Sequence, residues 1–359
     1  MTSSTDANLY FADLKSMAKL YIEGRLIFFL GAGFNLADRP GQCDRSGCRS
    51  NGLTCQIEDC EFRTYLPNGR ELRDHLLREF NEYRISGSIS ADLDLSMVSQ
   101  IFDAHLQREE LNRALDKVFT APQLRPTQVH RFLASLCSRP APKPKEKNRF
   151  YPLVVSTNYD RLVENELKDC DVLYYVPQDG GCFYRQSPGM DRPQPIERGT
   201  ANSDSYSYLR DRPTLLKIHG SAPPPEENRS PDPNFRTEAY LISQDNYLDH
   251  LTGAPLNDLI PTPILTALQM GKILFLGYRL ADWNVRIFLS RLPDAPKLLR
   301  SYGGTQKHWA ISSDWPEMLA NRSPYDEIKL LKLPLADFRA YFKHALASEQ
   351  SDFAKGIVE

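Results

Sequence analysis

Three apolar runs in this chain each stop at residues suited to chemistry, and that pattern constrains its fold more than any other feature. Leu26–Leu30 runs into Gly31-Ala32-Gly33-Phe34-Asn35. Leu153–Ser156 runs into Thr157-Asn158-Tyr159-Asp160, and Thr214–Ile218 runs into His219-Gly220-Ser221. Short, mostly apolar runs of this kind fit strands buried on both faces of a sheet. In an open α/β sheet, ligands bind beyond the carboxyl ends of the strands. The three run ends therefore describe one site drawn from distant parts of the sequence.

The rest of the chain supports such a sheet. Helical periodicity over Leu9–Gly24 places Tyr10, Leu14, Met17 or Ala18, and Tyr21 on one face. Further strands are expected at Val172–Val176, Lys272–Leu276, His308–Ser312 and Glu327–Leu331. Helices are expected at Arg161–Leu167, Gln244–Leu251, Leu256–Met270, Trp283–Leu292, Pro316–Ala320 and Leu335–Leu346. Alternating strands and helices predict a Rossmann-like α/β fold, a doubly wound and mostly parallel sheet. Between the first two key runs, 70–138 reads as helical throughout and forms an inserted subdomain. The Pro- and Lys-rich 139–149 reads as a solvated linker, and 178–213 as a long surface excursion. The expected organisation is a single domain over 1–347 with a short tail at 348–359.

Glycines at 31 and 33 let a backbone turn approach a pyrophosphate, although the full G-x-G-x-x-G is absent because Leu36 stands at its third position. The competing reading is a tight strand-to-loop turn. Asn158 offers both a donor and an acceptor, suited to a ribose hydroxyl or a positioned water. Asp160 suits a cap for the helix that follows. His219, beside Gly220, is placed to act as a general base. The other histidines fall in helical segments, or at the start of a strand for His308, and read as structural. Ile273–Arg286 repeats the strand–glycine–helix pattern, with Gly277 able to approach a ligand, Asp282 as a helix cap and Arg286 as either a ligand contact or a salt-bridge partner.

Four of the seven cysteines, Cys43, Cys48, Cys55 and Cys60, lie within the 36–69 insertion at C-x4-C-x6-C-x4-C spacing. Four thiolates in a polar stretch suit a structural zinc knuckle. A loop with free thiols, or a disulfide in an oxidising setting, remains open.

Composition is that of an ordinary globular protein: 359 residues, 41% hydrophobic, 25% charged and a net charge of −2. The charge balance argues against a nucleic-acid coat or a polybasic membrane anchor. Met1–Ala18 lacks a signal-peptide pattern, and the apolar runs are too short to span a bilayer. A soluble, cytoplasmic protein is expected.

Taken together, Gly31–Gly33, TNYD at Thr157–Asp160, KIHG at Lys217–Gly220 and FLGYRLADWNVR at Phe275–Arg286 resemble the sirtuin-like (SIR2-like) superfamily, in its bacterial antiphage-defence branch. The resemblance implies a Rossmann-type fold that takes NAD+ as its substrate. It matches Asn158 and His219 to the family's catalytic pair. It matches Gly31, Ala32, Gly33, Phe34, Asn35, Asp160, Gly277 and Tyr278 to cofactor-binding positions. Protein-deacylating sirtuins carry a zinc ribbon after the catalytic histidine, whereas this chain has no cysteine after Cys182. Asn35 stands where the family often has serine. The resemblance thus implies an NAD+ glycohydrolase, with a protein deacylase or a non-catalytic NAD or ADP-ribose sensor as alternatives. It also implies regulation by homo-oligomerisation, by a HerA-type hexameric ATPase or by an Argonaute-type partner. With only about a dozen residues after the last expected helix, a separate partner or self-assembly is expected to supply that regulation.

Overall fold

A computed structural model describes residues 4–40, 61–82, 92–141, 151–177, 181–196, 208–224, 239–252, 256–278, 308–313 and 328–349. The strands are β1 (Leu26–Leu30), β2 (Leu153–Ser156), β3 (Asp171–Val176), β4 (Cys182–Gln186), β5 (Gln194–Pro195), β6 (Thr214–Lys217), β7 (Gly220–Ser221), β8 (Ala239–Tyr240), β9 (Lys272–Leu276), β10 (His308–Ser312) and β11 (Ile328–Lys332). All but β7 and β8 join one sheet, in the order β11-β10-β9-β1-β2-β6-β3-β4-β5. β7 and β8 form a separate antiparallel pair. The sheet is parallel from β11 to β3, and β4 and β5 add an antiparallel edge.

The helices are α1 (Ser4–Ile22), α2 (Gly69–Glu82), α3 (Leu95–Leu106), α4 (Arg108–Phe119), α5 (Gln128–Cys137), α6 (Leu162–Leu167), α7 (Gln244–Thr252), α8 (Leu256–Leu259), α9 (Thr262–Met270) and α10 (Leu335–Ser348). Alternating strand residues supply the two faces of the sheet. Phe28, Leu30, Val154, Leu215 and Leu274 form one core with Tyr21 of α1, Phe132 of α5 and Phe342 of α10. Phe29, Val155, Leu216 and Phe275 form the other with Ile264 and Leu268 of α9. Both faces are covered, so the sheet is doubly wound in the Rossmann manner. A third cluster joins Leu76, Phe102, Leu111 and Leu115 of the helical subdomain to Tyr240 and Ile242, anchoring it above the sheet edge.

Two expectations need correction. The stretch after β3 is not only a loop. Cys182–Gln186 turns back against β3, with Tyr175 opposite Phe183 and Phe183 fully buried. Its weakly alternating CFYRQ pattern, flanked by Gly and Pro, hid an edge strand. The helix expected over Leu256–Met270 is two helices, because Pro261 and Pro263 cannot donate to a continuous ladder. The helices expected at Trp283–Leu292 and Pro316–Ala320 lie outside the described residues, as do Asp282, Arg286 and the four clustered cysteines.

β1 lies between β2 and β9, so Phe28 pairs with both Val154 and Leu274. The chain leaves β1 for strands on both sides of it, which makes its carboxyl end a topological switch point. There the turns after β1 and β9 interlock. Gly31 N–H donates to Leu276 O at 3.0 Å, and Gly33 N–H to Gly277 O at 2.8 Å. A Cβ on Gly33 would lie 2.6 Å from Gly277 O. Gly277 has φ +64°, and a Cβ on it would clash with Phe34 N. Gly277→Ala is therefore expected to destabilise the fold by at least about 2 kcal/mol. Gly69→Ala, at an open position, should change stability by less than about 1 kcal/mol. Urea denaturation of the two variants checks both.

Candidate active site

The carboxyl ends of the central strands open into a cavity of about 800 Å3. Ala32 and Gly33 reach it from β1, Asn158 and Asp160 from β2, His219 from β6, Gly277 and Tyr278 from β9, and Ser312 and Ser313 from β10. The geometry thus brings together the three run ends that stand far apart in the sequence. A further wall comes from Asn68 and from Arg70, Asp94, Ser96 and Phe119 of the helical subdomain.

Asn158 is only 8% exposed. Its backbone N–H donates to Ser156 Oγ at 3.0 Å, and its side-chain Nδ2 donates to Gly31 O at 3.2 Å. The second bond ties Asn158 to the glycine turn and fixes which way its amide points. His219 is also 8% exposed, with its ring edge-on to Tyr247 at 5.7 Å between centroids. Burial, and then the charge of nearby His250, push the His219 pKa down to about 3. The imidazole is therefore neutral near pH 7 with a lone pair that can accept a proton, and its burial makes it a weaker base than an exposed histidine.

Asn35 and Asp160 line the cavity, but their polar atoms are engaged with the protein. Asn35 Nδ2 donates to Asp160 Oδ2 at 2.7 Å, and Leu162 N–H donates to Asp160 Oδ1 at 3.0 Å. Asp160 thus caps the start of α6 and holds the glycine turn against the β2 turn. Behind Asn35 stands His130. Its Nδ1 accepts the Thr127 N–H at 3.2 Å, which places the ring proton on Nε2. Nε2–H then donates to Asn35 Oδ1 at 3.1 Å and orients the amide. Burial lowers the His130 pKa to about 4, and this keeps the bonding tautomer in place. Phe34 is fully buried with its ring edge-on to His130 at 4.8 Å, so it faces the core and lies off the cavity wall. Gly31 also lies behind the wall, and the Gly31 and Gly33 N–H groups are taken up by the interlock with β9.

Sequence reasoning read His130 as structural without its tie to Asn35, and passed over the role of Lys217 and the helical wall. For His130 the signal was present: Thr127 precedes it by three, the spacing of a capping box, with histidine in place of the usual Glu or Gln. For Lys217 the signal was a cation at the end of an apolar strand. Nothing local marks Arg70, an exposed cation on the cavity wall.

A family model of the SIR2-like domain matches residues 152–332. The chain belongs to the SIR2-like family. No curated protein matches it. SIR2-like domains bind NAD+ and are generally NAD+-utilising enzymes. The matched segment carries Asn158, His219 and Gly277, while the glycine turn at 31–33 lies ahead of it. Among the described residues, no group of three or more His, Cys, Asp or Glu is arranged to hold a metal ion. Among them, too, no helix is long and apolar enough to cross a membrane.

The two buried histidines make stability depend on pH. The unfolded chain protonates histidine near pH 6.5, whereas folded His130 and His219 stay neutral down to about 4 and about 3. Their stabilising effect is complete above pH 6.5 and is lost on acidification, by up to about 1.4 kcal/mol per pH unit for each ring. Urea midpoints at pH 7 and pH 5 should show this loss. His130→Gln, which keeps a donor for Asn35, should make the dependence shallower, and an unchanged slope would contradict the assignment.

Proposed function

We propose that this protein is an NAD+ glycohydrolase, releasing nicotinamide and ADP-ribose. The observation that carries the reading is the meeting of Asn158 and neutral His219 at one cavity on the carboxyl edge of a SIR2-like sheet. Cleavage breaks the bond between the ribose C1′ and the nicotinamide nitrogen through an oxocarbenium-like state. The pyridinium takes the bonding electrons and leaves neutral, so no strong acid is needed. A water oxygen bonds to C1′, and its proton passes to His219. Asn158 orients that water or a ribose hydroxyl. The turns at Ala32–Gly33 and Gly277–Tyr278 form the floor on which the dinucleotide lies. Holding the reacting carbon in place supplies the orientational part of the rate.

Hydrolysis is favoured over protein deacylation because no cysteine follows Cys182, leaving no ribbon after His219 to build a peptide cleft. Destroying a central cofactor suits the effector of an antiphage abortive-infection system. Such an enzyme needs restraint, supplied here by self-assembly or by a HerA-type or Argonaute-type partner. A structural zinc at Cys43, Cys48, Cys55 and Cys60 belongs to the same proposal.

The test is NAD+ consumption by the chain, alone and with the products of neighbouring genes, followed by mass spectrometry. Nicotinamide and ADP-ribose in equal amounts are expected. Asn158→Ala and His219→Ala should each lower turnover by about 10²–10⁴-fold while remaining folded. O-acyl-ADP-ribose would indicate deacylation instead, and NAD+ binding without turnover would indicate a sensor.

A further inference from the structure

Lys217 is the last residue of β6, and its side chain is 1% exposed. A buried ammonium is costly unless every hydrogen finds an acceptor. Here the three N–H donors of Nζ meet three oxygens. One is Glu164 Oε1 on α6 at 2.8 Å. The others are the backbone carbonyls of Tyr159, at 3.1 Å, and of Asp160. Both carbonyls belong to the turn that carries Asn158. Lys217 is also two residues before His219 in the chain, and the ladder continues between them through Ile218 N–H to Ser156 O at 3.0 Å. One side chain therefore ties the Asn158 turn to the strand that delivers His219.

We propose that Lys217 is a positioning residue that sets the spacing between Asn158 and His219, an inference that rests on the NAD+ glycohydrolase reading of that pair. A buried ion pair is a weak means of stabilising a core, since apolar side chains of similar size do as well or better. The value of this lysine lies in its bonds to the two carbonyls. Glu164 serves it as a counter-ion. Neither residue touches substrate, and no proton passes through them. Without Lys217, Tyr159 O keeps its bond from Ala222 N–H at 2.8 Å, but Asp160 O loses its link to β6. The turn can then shift relative to His219 while the fold persists.

The informative variant is Lys217→Met combined with Glu164→Leu, which removes both charges together. It is compared with wild type for Tm, for amide hydrogen exchange over 157–162, and for kcat and KM with NAD+. We expect a Tm within a few degrees of wild type, faster exchange in the turn, and kcat lower by on the order of 10²-fold with KM little changed. If exchange and kcat match wild type, Lys217 is merely structural and the proposal falls. If the double variant does not fold, Lys217→Gln takes its place. It is one bond too short for the carbonyls but still offers Glu164 a donor. It is set beside Leu268→Ala, a core variant on α9 expected to lose comparable stability. Loss of turn protection and kcat in Lys217→Gln alone supports the proposal, and equal behaviour in the two overturns it. If wild type consumes no NAD+ under any condition, the glycohydrolase reading fails, while the exchange data still decide whether Lys217 holds the turn.

Discussion

The contact on which this architecture depends is the meeting of backbone with backbone where β1 and β9 end. Gly31, Gly33 and Gly277 approach so closely that no side chain fits between the two turns. That closeness brings the strands' carboxyl ends into one floor. Gly31 O accepts the Asn158 amide as well as the Phe34 N–H, so the β2 turn is registered against the same point. The glycines therefore act first on the protein itself. Their N–H groups at 31 and 33 complete the interlock and are taken up within the protein.

Around this floor, the polar groups form a frame with each member fixed by another. Thr127 fixes the His130 tautomer, His130 fixes the Asn35 amide, and Asn35 fixes Asp160. Asp160 in turn starts α6, the helix that supplies Glu164 to Lys217. Buried polar networks of this kind stabilise only when every member is satisfied. The arrangement is thus less a store of stability than a way of giving two side chains a single relative position.

Much of this was legible in the sequence, for a physical reason. β1, β2, β6 and β9 are buried on both faces, so they must be apolar, and an apolar run that ends in Gly, Asn or His is easy to see. Strand ends alone were enough to place Asn158 and His219 at one site, and their pairing as catalytic residues came from the family resemblance. What could not be read was any relation that depends on three-dimensional closure. Asn35 resembles a ligand contact in sequence, and only the fold shows its amide held between Asp160 and His130. Lys217 looks like a solvated cation until the β2 turn closes over it. The edge strand β4 escaped because a partly exposed strand carries only weak alternation, and Pro261 broke a helix whose apolar pattern ran straight through it.

The cavity has two walls of different origin. Asn158 and His219 stand at the sheet, while Arg70 and Ser96 lie on the helices α2 and α3 inserted between β1 and β2, with Asn68 and Asp94 directly ahead of them. Those helices rest on the sheet side through an apolar cluster and a few polar ties, such as Tyr240 to Asp116 and Arg108 to Asn246. The two walls are therefore written in separate parts of the chain. Substitutions in the inserted helices can reshape one wall of the cavity and leave the sheet edge that carries Asn158 and His219 as it is.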